Sequence, residues 1–123
     1  MPIDMTRITK SNFDLSERLF NEGVSLSYDE DGDTLLITIG EPKISISKPF
    51  FDGMYIQIEP SSYKITRFTI LAFMSDMFSK NKLIRKLFPN AMEKFQSSSG
   101  TVKLLGADAQ RTQLLFETAM SRR

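Results

Sequence analysis

The sequence predicts an α+β fold: an antiparallel β-meander of about five strands, followed by two or three helices packed on one face. Three observations carry that expectation. Between Val24 and Phe73, apolar and polar residues alternate in short runs, the period of half-buried strands. Turn-forming clusters such as "DEDGD" at 29–33 and "EPSS" at 59–62 separate those runs. Beyond residue 75 the apolar spacing becomes helical, through Met77, Phe78, Leu83, Ile84, Leu87 and Phe88. The 123 residues read as a single domain over 1–123, with an N-terminal helix at 14–22, a sheet at 24–73 and a helical half at 75–120.

Each element has its own local grounds. Asp14 stands as N-cap with Glu17 three residues on, a capping box, and Gly23 is placed to end that helix. Leu15, Leu19 and Phe20 give it an apolar face. Val24, Leu26 and Tyr28 then alternate with Ser25 and Ser27. Leu35, Ile37 and Ile39 alternate with Leu36 and Thr38, and Ile44 and Ile46 with Ser45 and Ser47 until Pro49 stops the run. Met54, Ile56 and Ile58 alternate with Tyr55, Gln57 and Glu59, and Ile65 to Phe73 is the longest strand candidate. In the helical half Pro89 ends or restarts the helix, and Met92 and Phe95 continue its pattern. "SSSGTVKLLG" offers a small extra strand at Thr101–Leu105, broken by Gly106. Asp108 then caps a last helix to about Met120, with Leu115 and Ala119 on one face.

Composition removes several chemistries. There is no cysteine, histidine or tryptophan, while ten phenylalanines are available for a core. Without histidine the chain lacks the side chain that titrates near neutrality, the usual general base and metal ligand. Ser-His-Asp and Cys-His arrangements, and zinc sites of the His/Cys kind, are excluded. No glycine-rich phosphate loop or nucleophile elbow is present, so no cofactor is expected. The longest apolar run, about seven residues around Phe68–Met74, is far short of the ~20 that span a bilayer. The N-terminal "MPIDMTRITKSNFDLSE" has no apolar signal-peptide segment, so a cytoplasmic protein without membrane contact is expected.

Charge is unevenly spread. Residues 1–76 hold seven basic and twelve acidic side chains, a net of −5, and residues 77–123 hold nine basic and three acidic, a net of +6. Such a split marks an anionic partner, or two halves that attract each other within the fold or across a dimer.

Four features compete as sites. The acidic knot offers Asp29, Asp31 and Asp33 as weak metal ligands. Counted from Asp29, an EF-hand register puts the glycine at position 4 and Gly40 at position 12; counted from Ser27, position 12 is Thr38. Neither supplies the closing glutamate. A hairpin tip, with Gly32 taking a positive φ, is the simpler reading. Asp52 and Glu59 could form an acid–base pair only if burial raised one pKa by several units; both also sit in turn signatures. The segment "SKNKLIRKLF" sets Lys82, Arg85 and Lys86 on one helical face and Leu83, Ile84 and Leu87 on the other. With Lys80 and Lys94 it is a candidate partner or nucleic-acid surface, and the same layout serves an ordinary solvated helix. Lastly, Phe50 and Phe51 face opposite sides of an extended chain, so one of them, or Tyr55, is a candidate surface aromatic, with burial in the core the simpler alternative.

The run "YDEDGDTLLITI" followed by "DGMYIQIEPSSYKITRFTIL" resembles a small bacterial family of uncharacterised double-hairpin domains. The matching positions are Tyr28, Asp29, Asp33, Leu35, Ile37, Asp52, Gly53, Ile56, Ile65, Phe68 and Ile70, within residues 26–73. The resemblance departs at "EPSSYK", where family members carry an acidic turn with glycine. It implies paired hairpins and brings no catalytic residues. The functional expectation is a non-catalytic binding or regulatory protein acting through protein contacts, as a homodimer. The alternatives are nucleic-acid binding through the basic helix at 80–94, and an enzyme using carboxylates or a divalent cation.

Overall fold

Alternation in the sequence becomes two unlike sheet faces in the structure, a computed structural model that describes residues 5–51, 53–73, 75, 86, 101–114 and 117. Two short helices come first, α1 (Met5–Ser11) and α2 (Leu15–Glu22). Strands β1 (Val24–Asp29), β2 (Thr34–Ile39), β3 (Ile46–Phe51), β4 (Met54–Ile58) and β5 (Ile65–Ile70) follow, then β6 (Thr101–Leu104) and α3 (Gly106–Gln110). Among the described residues, the six strands join one antiparallel sheet in the order β3-β4-β5-β2-β1-β6. The architecture is α+β. The β1–β2 hairpin and the β3-β4-β5 meander lie side by side through the β2–β5 pairing, and β6 extends the sheet beyond β1.

Leu35 and Ile37 of β2, Ile56 of β4 and Phe68 and Ile70 of β5 point to one face and are fully buried. Ile8 of α1, Leu15 and Leu19 of α2 and Ala109 of α3 cover them, so these helices share that face. Phe68 is central, with Ile37 and Ile56 as its register partners on either side. Truncating such a side chain to alanine costs about 3–5 kcal/mol.

A polar knot ties the helices to the sheet. Asn12, between α1 and α2, is buried at 6% exposure. Its Nδ2 donates to the carbonyls of Ile8 (2.8 Å) and Tyr63 (2.9 Å), and its Oδ1 accepts from the Ile65 amide at 2.8 Å. Arg18 of α2 donates to the Ile65 carbonyl at 2.9 Å and pairs with Glu22 at 3.3 Å. The Arg7 guanidinium stacks on the Tyr63 ring, 3.7 Å from its centroid.

Several expectations are corrected. Asp14 occupies the N-cap position of α2 without a side-chain cap bond; its carboxylate instead meets Lys64 Nζ at 3.2 Å, so no capping box forms. Helix α1 had no sequence expectation, because its apolar face amounts to little more than Ile8. Ile44 is 92% exposed and precedes β3, which runs through Pro49. Proline is tolerated there because β3 is an edge strand and its register shifts between Pro49 and Phe51. β5 stops at Ile70, since Ala72 turns the chain with a φ of 51°. Asp108 lies in the first turn of α3, with Leu105 at the N-cap position. Most of the helical half expected at 75–120 falls outside the described residues.

Candidate functional site

The acidic knot forms the four-residue tip of the β1–β2 hairpin, with Asp29 paired to Thr34 in register. The left-handed residue is Asp33 (φ 48°) rather than Gly32. A Cβ at position 32 would lie 2.8 Å from Asp29 Oδ2, a contact the exposed carboxylate can relieve by turning away. Asp33 is bonded on every side. Tyr28 Oη donates to Oδ1 at 2.6 Å, the Ser75 amide to Oδ2 at 3.0 Å, and the Phe73 amide to its carbonyl at 2.9 Å. The rings of Tyr28 and Phe73 pack tilted at 5.9 Å. Burial, the hydrogen bond to Asp33, and the charges of Asp33, Glu30 and Asp29 push the Tyr28 hydroxyl from 10.0 to about 12. This cluster clamps the chain leaving β5 onto the hairpin. Among the described residues, no group of three or more acidic side chains is gathered to hold a metal ion.

The other candidates stand apart. Glu59 frames the β4–β5 connection: its amide donates to the Lys64 carbonyl at 3.0 Å, and its carbonyl accepts from the Tyr63 amide at 2.9 Å. Asp52, Lys80, Lys82, Arg85 and Lys94 lie outside the described residues, as do the side chains of Phe50 and Phe51. Lys86 is helical and exposed, and its carbonyl accepts a long 3.5 Å bond from Arg111. Tyr55 is 37% exposed and lies on the sheet face opposite the helices.

That second face is where the register brings chemistry together. One row crosses all six strands: Ser47, Gln57, Arg67, Thr38, Ser25 and Lys103, each the register partner of the next. A second row beside it reads Pro49, Tyr55, Thr69, Leu36, Ser27 and Thr101. Among these twelve positions are two cations and no carboxylate. Gln57 is ordered at both ends, donating to Ser47 Oγ at 2.9 Å and accepting from Thr69 Oγ1 at 3.0 Å. Arg67, midway along the sheet, has a buried Nε without a hydrogen-bond partner. Period-two alternation marks these residues as pointing away from the core. Their assembly into rows depends on strand order and register, which no local pattern in the sequence encodes.

No protein-family model, curated protein or solved structure matches this chain. The geometry alone therefore carries the functional reading.

Proposed function

We propose that the protein is a non-catalytic binding protein whose working surface is the open face of its sheet. The carrying observation is the unbroken polar row from Ser47 to Lys103, with Arg67 at its centre. Arg67 is partly exposed, and a guanidinium is a strong donor to a ligand with acceptor oxygens. Amide chemical shifts of labelled protein test this against a panel of polyanions, acidic peptide and oligonucleotides. Shifts should centre on Ser25, Thr38, Gln57 and Arg67. Shifts confined to 80–94, or none with any ligand, overturn it.

A second reading, self-association, is favoured by Ile46, 37% exposed on β3, an edge strand among the described residues, and by the neighbouring Ile44. Light scattering should then show a homodimer that Ile46→Lys converts to monomer. A strict monomer at high concentration removes this reading.

A further inference from the structure

Resting on the binding-face reading above, we infer that the partner of the open sheet face is single-stranded nucleic acid, held by phosphate contacts along the Ser47–Lys103 row. Charge is the first argument. Arg67 and Lys103 stand on this face with no carboxylate in the twelve row positions, and the carboxylate on the same face, Asp29, sits at the hairpin end opposite Thr34, so the rows complement an anion. They are three strand spacings apart, ~14 Å, too far for one small anion and suited to a chain of them.

Side-chain type is the second argument. Phosphate and sugar oxygens are met by Arg and Lys together with Ser, Thr, Gln and Tyr. The two rows supply those types: Arg67 and Lys103 for charge, Thr38 and Ser25 between them for hydroxyl donors. Tyr55, exposed in the adjoining row, adds a flat ring on which a base can stack.

Shape is the third. Six strands span ~24 Å, whereas the major groove of a duplex is ~12 Å wide and admits a helix or a two-stranded ribbon. A flexible single strand can lie across the strands and follow the row. A second copy of the protein fits poorly, because a face-to-face pair would oppose like cations and bury Arg67 without an anion.

The experiment is fluorescence anisotropy with a labelled single-stranded oligouridine at stepped salt, alongside amide chemical shifts. Wild-type affinity should fall as salt rises. Arg67→Ala and Lys103→Ala should each reduce the salt slope by about 0.7, the share of one phosphate contact on a single strand. Tyr55→Ala should weaken binding roughly 5- to 150-fold. Lys103 and Tyr55 are exposed, so their variants should keep the wild-type melting temperature and report on binding even if Arg67→Ala is destabilised. If oligouridine fails to bind at low salt while a poly-glutamate peptide shifts the Ser25, Thr38 and Arg67 amides, the nucleic-acid inference is overturned and the binding-face reading stands. If RNA binds, and Lys82→Ala and Arg85→Ala abolish binding while Lys103→Ala and Tyr55→Ala leave it unchanged, both are overturned.

Discussion

Replacing Asn12 by alanine should destabilise the protein by roughly 3–5 kcal/mol, because it opens a buried polar knot while removing almost no apolar area. The largest part is the Ile65 amide. Ile65 is fully buried, and its N–H is satisfied by Asn12 Oδ1 at 2.8 Å. Left unpaired, such a donor costs about 1–3 kcal/mol. The bonds from Nδ2 to the Ile8 and Tyr63 carbonyls, at 2.8 and 2.9 Å, each contribute a further ~1 kcal/mol net. For 123 residues the sum corresponds to a fall in Tm of about 10–20 °C. Urea denaturation followed by circular dichroism is the assay, and the midpoint should drop with the slope unchanged. Phe13→Ala, one residue away and 85% exposed, is the control and should stay within ~0.5 kcal/mol. A loss below ~0.5 kcal/mol for Asn12→Ala would refute the view that this knot holds the helices on the sheet.

Other perturbations separate the remaining interactions. Tyr28 has its folded pKa raised, so its contribution is complete below pH 10 and is lost as pH climbs through about 12. Stability should fall across that interval; Tyr28→Phe should flatten the fall, and an absorbance titration should show one of three tyrosines ionising late. Gly23 ends α2 with φ 78° and ψ 176°, a region almost reserved for glycine, and a Cβ there would lie 3.0 Å from the Leu104 carbonyl. Gly23→Ala should therefore cost at least ~1–3 kcal/mol and speed amide exchange in β6; a neutral variant would contradict this account. Calcium, magnesium or manganese should leave Tm within about 1 °C, since Asp33 is spent on Tyr28, Ser75 and Phe73, and Asp31→Asn should be as neutral as other exposed substitutions. A larger metal-dependent rise that Asp31→Asn abolishes would restore the cation-dependent enzyme reading.

What the sequence made legible was local periodicity. β1, β2 and β4 follow from alternation, because each buries one face and the side-chain period leaves only one choice of which residues go in. β6 is legible, one residue too long, from "TVKLL" followed by Gly106. β5 came out too long because the turn at Ala72 uses a left-handed alanine, which composition does not announce. β3 was displaced because Pro49 reads as a stop unless the strand is known to lie at an edge. Asn12 was invisible for a different reason: the residues it holds, Tyr63 and Ile65, lie 51 and 53 positions away. Arg67 has the same history, its neighbours Thr38 and Gln57 arriving from β2 and β4. Polar hubs and cross-strand rows are made by topology, so they become readable only once strand order is known.

The pairing of β1 with β6 bears on how the chain is made. Residues 24–70 contain five of the six strands, while the one that flanks β1 is encoded at 101–104. At about 5–20 residues per second, synthesis from residue 70 to residue 104 takes roughly 2–7 s. Throughout that interval β1 is a second unguarded border beside β3, able to recruit a strand from a neighbouring nascent chain. A message that terminates before residue 101 would make the condition permanent. Its product should sediment with the insoluble fraction even though every residue of the main hydrophobic strands has been translated.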